Sequence, residues 1–182
     1  WRDKPRPILI NNWEATYMDF DAQRILDIAR QARELGVEML VLDDGWFGQR
    51  SDDTSGLGDW QVNEAKLGCT LDQLIGQVRE MGLLFGLWVE PEMVCAGTEV
   101  VEYLYGTFHR LLAGHDIAYI KWDMNRNMTD VYSRALPPER QGEAAHRYML
   151  GLYDLLGRLT RDFPQVLFEG CAGGGGRFDA GM

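Results

Sequence analysis

The sequence predicts an α/β fold in which parallel strands alternate with helices. Short runs of Val, Ile and Leu recur along the 182 residues, and longer stretches with helical hydrophobic spacing separate them. Gly, Pro or capping residues mark the ends of the helical stretches. Because a strand, a helix and a second strand join as a right-handed crossover, the sheet is expected to be parallel.

Five strands are expected, and each is apolar before it reaches a polar end. They are predicted at residues 7–11, 37–44, 83–90, 117–123 and 166–169. The second is apolar almost throughout, which a parallel strand buried on both faces requires.

Four helices are expected between these strands. The first, at 21–35, has an i, i+3, i+4 apolar stripe and ends before Gly36. After a polar loop at 45–68, Thr70 and Gln73 form a capping box that opens the second. The third ends at Gly114, and the fourth runs from Pro138 to Pro164.

Two architectures fit this order of elements, a doubly wound open sheet and part of a (β/α)8 barrel. A complete barrel takes about 250 residues, so five strands in 182 residues do not close one. No linker or internal repeat divides the chain, and residues 1–182 are expected to form a single domain.

Composition and charge exclude several classes of function. The formal net charge is −10 and basic residues do not cluster, which argues against a nucleic-acid partner. No apolar run is long enough to span a bilayer, so no membrane partner is expected. Cys69, Cys95 and Cys171 are odd in number and form no CxxC, which favours free thiols in a reducing, cytoplasmic compartment. The three histidines are scattered, so neither a metal nor another cofactor is expected.

Each of the five strands ends in polar side chains accompanied by Trp or Cys. Ligands bind at the carboxyl ends of parallel strands in both candidate architectures, so five such ends in succession predict a site. Carboxylates accept hydrogen bonds from sugar hydroxyls, and indole rings cover the apolar face of a sugar. The combination favours a carbohydrate ligand.

Lys121 and Asp123 are two residues apart on the fourth strand and therefore point to the same face. A charged Lys lowers the pKa of a neighbouring Asp, and an ionised carboxylate can act as the nucleophile in glycoside cleavage. The alternatives are a structural ion pair and a Schiff-base Lys121 of an aldolase. The Gly run at 173–176 lacks the residues of a phosphate-binding loop, and it suits close approach of the backbone to a compact ligand.

The polar strand ends resemble, in the same order, the motifs of the α-galactosidases of glycoside hydrolase family 36. The matching segments are 11–15 (NNWEA), 42–48 (LDDGWFG), 86–93 (GLWVEPEM), 121–126 (KWDMNR) and 168–171 (FEGC), the last followed by the Gly run. The resemblance covers nearly the whole chain. It implies a (β/α)8 barrel, of which residues 1–182 would form the N-terminal five-eighths. It also implies metal-free hydrolysis of terminal α-1,6-galactosides, as in melibiose and raffinose, with retention of configuration.

The resemblance assigns a role to each matching residue. It makes Asp123 the catalytic nucleophile. It makes the following residues ligands of the galactoside: Asp43, Asp44, Trp88, Lys121, Asn125, Cys171, Gly173 and Gly174. Among these, Asp43 and Asp44 would bind the hydroxyls that distinguish galactose from glucose.

The sequence departs from the family pattern at two places. The general acid/base is an Asp on the sixth strand, downstream of the Gly run, and no residue here matches it. The segment that usually follows the EPEMV motif is also missing, since residues 95–97 run directly into the third helix. We therefore expect a part of a retaining α-galactosidase that is inactive alone and forms a homo-oligomer through the open side of the barrel. The alternative is a non-catalytic, self-associating half-barrel scaffold.

Overall fold

Five parallel strands form a single sheet in the computed structural model, which describes residues 1, 3–94, 98–125, 131–134 and 136–173. All five predicted strands are present, with bounds one or two residues shorter than expected at most ends and one residue longer at the end of the fifth. They are β1 (Leu9–Asn11), β2 (Met39–Leu42), β3 (Leu84–Val89), β4 (Tyr119–Trp122) and β5 (Leu167–Gly170).

The strand order decides between the two architectures. The order is β1-β2-β3-β4-β5, so each strand pairs in parallel with the next one along the chain. A doubly wound sheet reverses its strand order at a switch point, whereas a (β/α)8 barrel adds each strand to the same side. The sheet is therefore the arrangement of consecutive barrel units.

The helices separate these strands as predicted. They are α1 (Trp13–Thr16), α2 (Ala22–Glu34), α3 (Glu64–Leu67), α4 (Leu71–Glu80), α5 (Thr98–Gly114) and α6 (Ala144–Asp162), with 3₁₀ segments at Pro91–Val94 and Pro138–Glu143. In the described part of the chain, none of them is long and apolar enough to cross a membrane.

Two local expectations were wrong. The helices α1 and α3 were not predicted, because four residues are too few to show a hydrophobic period. Residue Pro138 opens a 3₁₀ segment, and α6 begins only at Ala144; such segments are frequent at helix N-termini. The capping box of α4 is confirmed, since Thr70 Oγ1 accepts from the Gln73 N–H and Gln73 Oε1 accepts from the Thr70 N–H.

The two faces of the sheet bury different residues. Alternate strand residues, including Leu40, Leu42, Phe85, Leu87 and Ile120, join the main core together with the apolar stripes of the helices. The opposite face carries a small apolar layer of Met39, Val41 and Tyr119, with Leu84 and Leu167 against it. This second face is the lumen side of the barrel. Because side chains alternate along a strand, every second residue beyond this layer also faces the lumen, and these residues include the polar strand ends.

Candidate active site

The polar strand ends meet above the apolar layer of the lumen face. The register pairs Trp88 with Lys121 and Lys121 with Glu169 on adjacent strands. Two residues further along, the same alternation brings Glu90, Asp123 and Cys171 to one level. The ends predicted to form a site are therefore neighbours.

Asp123 is 4% exposed, and protein donors hold its carboxylate. The Oδ2 atom accepts from Trp88 Nε1 at 3.0 Å and from Asn125 Nδ2 at 2.8 Å, and Oδ1 accepts from the Met124 N–H at 3.0 Å. Burial is the largest influence on the pKa of Asp123 and raises it. The hydrogen bonds from Trp88, Asn125 and Cys171, together with the charge of Lys121, outweigh burial and lower the pKa below its ordinary value. The site thus holds an ionised carboxylate at neutral pH.

Lys121 forms its ion pair with Asp43. Its Nζ lies 3.0 Å from Asp43 Oδ2, and Asn11 Nδ2 donates to the same oxygen at 2.6 Å. The sequence predicted that a charged Lys121 lowers the pKa of Asp123. Its charge does lower that pKa, but the hydrogen bonds from Trp88, Asn125 and Cys171 contribute more.

The electrostatics of this pair keep Lys121 charged. Burial is the largest influence on the pKa of Lys121 and lowers it, but the charges and hydrogen bond of its acidic neighbours raise the pKa overall. A protonated amine does not form an imine, so this ion pair argues against Lys121 as the Schiff-base lysine of an aldolase. Burial raises the pKa of Asp43, although the Asp44 N–H and Lys121 both oppose that effect.

Asp44 forms a buried bidentate ion pair that the sequence did not predict. Arg50 Nε donates to Asp44 Oδ1 at 2.8 Å, and a terminal nitrogen of the guanidinium donates to Oδ2 at 2.7 Å. The other terminal nitrogen donates to the Ser55 carbonyl at 2.7 Å. Both charged residues are 5% exposed. The pair therefore fastens the loop after β2 to the site and fixes the orientation of Asp44.

Asn125 joins three strand ends. Its backbone N–H donates to Glu90 Oε1, its side chain donates to Asp123, and its Oδ1 accepts from the Gly173 N–H at 3.1 Å. The amide predicted to bind substrate is thus bonded to protein on both sides. Gly173 lies at the site through this contact, whereas Gly174 lies outside the described residues.

Cys171 and Trp88 lie beside the nucleophile candidate. The Cys171 N–H donates to the Trp122 carbonyl at 2.8 Å, and its own carbonyl accepts from the Met124 N–H at 3.1 Å, which ties β5 to the end of β4. Trp88 is 2% exposed, and its ring stacks on Phe47 with an interplanar angle of 9°. In this structure Trp88 presents its N–H to Asp123; its packing against a sugar stays a prediction.

Two further carboxylates complete the surroundings. Glu90 is buried next to Asp123, and Glu92 accepts from Trp122 Nε1 at 2.7 Å and from the Tyr148 hydroxyl at 2.8 Å. The EPE motif includes both residues, but the sequence did not show that Glu90 lies beside Asp123 while Glu92 bonds to Trp122 and Tyr148. Among the described residues, no group of three His, Cys, Asp or Glu side chains could hold a metal ion.

An ionised carboxylate, an amino cation and further buried carboxylates gather at the carboxyl ends of the strands, which is where β/α barrels bind their ligands. The chain belongs to the Melibiase family, whose sequence model matches residues 1–102 and 95–182. It is 52% identical to "Alpha-galactosidase AgaA" of Geobacillus stearothermophilus and 45% identical to "Alpha-galactosidase Mel36A" of Lactobacillus acidophilus, with all of the chain covered. The resemblance to family 36 is thereby confirmed.

Solved structures agree with the sequence comparison. The crystal structure of AgaA, described as a GH36 α-galactosidase, superposes with a TM-score of 0.94 over 100% of this chain. A Lactobacillus brevis α-galactosidase superposes with a TM-score of 0.92 at 43% identity. The chain spans about 30% of the length of these relatives. The barrel prediction is confirmed at the level of these five units.

The comparison with AgaA also shows positions that have no counterpart in this chain. The alignment with AgaA extends over 214 positions and covers all 182 residues here, which leaves 214 − 182 = 32 positions of the relative without a counterpart. The two matches to the family model meet at residues 95–102. The overlap of these matches includes residues 95–97, where the sequence predicted the missing segment; residues 95–97 lie outside the described residues.

Proposed function

We propose that this chain carries the nucleophile half of a retaining α-galactosidase site, with Asp123 as the nucleophile. The observation that carries the proposal is the Asp123 carboxylate, which is buried, held by three hydrogen bonds and ionised. Variants of AgaA have been solved in complex with stachyose and with raffinose, which supports a galactoside ligand here.

In the proposed reaction Asp123 attacks the anomeric carbon, and the galactosyl group is transferred from the departing oxygen to the carboxylate. Asp43 and Asp44 would accept hydroxyl hydrogen bonds from the galactose, and Lys121 would donate one. Asn125 holds the nucleophile, and the backbone at Cys171 and Gly173 lines the floor. Water then attacks the anomeric carbon of this ester with inversion, breaks its bond to the Asp123 carboxylate and gives up a proton to solvent, so the two displacements together retain the configuration.

A 182-residue polypeptide of this sequence is proposed to turn over natural galactosides poorly. Their leaving group is a sugar alkoxide that must be protonated as the bond breaks, and general acid catalysis is worth about 10² to 10⁴ in rate. No residue here matches the acid/base of the family. A galactoside with a good leaving group needs little protonation, so it is the substrate with which to test the nucleophile.

The test is covalent capture with an activated 2-fluoro-galactosyl donor, followed by peptide mass spectrometry. The label is expected on Asp123 and is expected to be lost in Asp123→Asn. The matched control is Asp116→Asn, which changes an exposed carboxylate paired with Arg79 and should label as the wild type does. A label that persists in Asp123→Asn overturns the assignment.

We propose three further properties of this chain. Residues 1–182 act as one domain, supported by the single main core that every strand shares with the helices. Neither Cys69 nor Cys171 forms a disulfide bond, which supports a cytoplasmic location. Self-association is supported by the edge strands β1 and β5 and by Ile8, which is 63% exposed beside β1. Sedimentation that finds only monomer at micromolar concentration contradicts self-association.

A further inference from the structure

Glu90 is a buried carboxylate of the site that the proposed chemistry leaves without a role. It is the first residue after β3, and the pairing of Val89 with Trp122 makes Asp123 its neighbour on the next strand. Glu90 and Asp123 are each 4% exposed. Two carboxylates buried side by side repel each other, so Glu90 must form an interaction that compensates for its charge.

That interaction runs through Asn125 and ends on the nucleophile. Glu90 Oε1 accepts the backbone N–H of Asn125, and Asn125 Nδ2 donates to Asp123 Oδ2 at 2.8 Å. Gly173 N–H donates to Asn125 Oδ1 at 3.1 Å, which fixes which end of the amide faces Asp123. The residue that holds the nucleophile is therefore held in turn by Glu90.

The negative charge of Glu90 is unfavourable beside Asp123, but it strengthens the hydrogen bond that Glu90 accepts from Asn125. Burial and the nearby Asp123 and Asp44 raise the pKa of Glu90. A hydrogen bond to an ionised acceptor is about twice as strong as one between neutral groups. A carboxylate here thus anchors the turn after β4 more firmly than a neutral amide, provided that its side chain has the length to reach Asn125.

We propose that Glu90 is a positioning residue, which fixes Asn125 so that its amide holds Asp123 in the orientation for attack. The proposal deepens the function given above and rests on Asp123 as the nucleophile for its catalytic meaning. The underlying contact, in which Glu90 determines the hydrogen bonding of Asp123, does not depend on any reaction.

Two variants of Glu90 separate reach from charge. Glu90→Gln keeps an oxygen at the same distance and removes the negative charge. Glu90→Asp keeps the charge and withdraws the oxygen by one methylene. The readouts are the pKa of the Asp123 carboxyl, measured by carbon-detected NMR titration, and the rate of covalent capture by the activated galactosyl donor.

Opposite shifts are expected from the two variants. In Glu90→Gln the pKa of Asp123 falls, because a negative neighbour is gone and the donor from Asn125 stays. In Glu90→Asp the pKa rises by about one unit, because a hydrogen bond to an ionised group is weakened. Covalent capture slows about tenfold in Glu90→Asp and much less in Glu90→Gln, which keeps a weaker, neutral hydrogen bond to Asn125.

An unchanged Asp123 pKa in a folded Glu90→Asp variant overturns the proposal, since a purely electrostatic role leaves that variant like the wild type. If Glu90→Asp does not fold, Asn125→Ala replaces it and is expected to raise the pKa of Asp123 in the same direction. A wild type that captures no sugar, while the opposite pKa shifts are found, refutes the nucleophile and leaves the positioning role supported.

Discussion

Arg50→Met is expected to destabilise the fold by about 3–5 kcal/mol, because it leaves the Asp44 carboxylate buried without its cation. The structure sets this magnitude. Both partners are 5% exposed, two hydrogen bonds of 2.7 and 2.8 Å join them, and a third holds the Ser55 carbonyl. Ion pairs on the surface contribute only about 0.2–1 kcal/mol.

The assay is urea unfolding followed by circular dichroism, with Arg30→Met as the matched control. Arg30 pairs with Asp27, and both side chains are 51% exposed, so this variant should lose less than about 1 kcal/mol. The double variant Arg50→Met with Asp44→Asn should be less destabilised than the sum of the two single variants, because no buried charge is left unpaired.

Equal losses in Arg50→Met and Arg30→Met refute the reasoning. Such a result would mean that water reaches the Asp44 carboxylate and screens it, and the pair could not then fix its orientation. Additive single losses in the double variant contradict the direct coupling of the two charges as well.

Two other perturbations test the lumen face and the central ion pair. A Cβ on Gly86 would lie 2.7 Å from a ring carbon of Tyr119, so Gly86→Ala should lower the free energy of unfolding by about 1–3 kcal/mol. In the control Gly76→Ala in α4, the Cβ meets no atom within 4 Å, and the free energy of unfolding should rise by about 0.5–1 kcal/mol. Denaturant unfolding measures both. In Lys121→Met the already raised pKa of Asp43 should rise further, since Lys121 opposes the effect of burial. An acid with a raised pKa in the folded state lowers stability as pH rises above its unfolded pKa of about 4. Wild type and variant share this loss up to the raised pKa of wild-type Asp43, so the extra loss in Lys121→Met should grow above that pKa; an extra loss that is the same at acid and neutral pH contradicts this.

Local chemistry explains why much of the fold was predictable. The buried positions Ile25, Ala29 and Ala32 of α2, the capping box of α4 and the presence of five strands are confirmed, because each depends on residues close together in the chain. The short helices α1 and α3 were missed because four residues are too few to show a hydrophobic period.

The sequence predicted which residues form the candidate site, but it did not predict their hydrogen-bond and ion-pair partners. Two-residue spacing placed Lys121 and Asp123 on one face from sequence alone, and the order of the strand-end motifs identified the family. The partners of these residues depend on the register between strands and on where loops return. Arg50 reaches Asp44 only because the loop after β2 folds back over the site, and spacing along the chain does not encode that path.

The sequence by itself determined the alternation of strands and helices, the family and the identity of the candidate nucleophile. The tertiary structure decided that Lys121 pairs with Asp43, that Arg50 engages Asp44, and that Glu90 reaches Asp123 through Asn125. Hydrophobic period and side-chain alternation are properties of a single element, and a sequence displays them directly. The partner of a buried charge depends instead on distances of a few ångströms between separate elements. Those distances are set only when the strands pair in their native register and the loops pack against them.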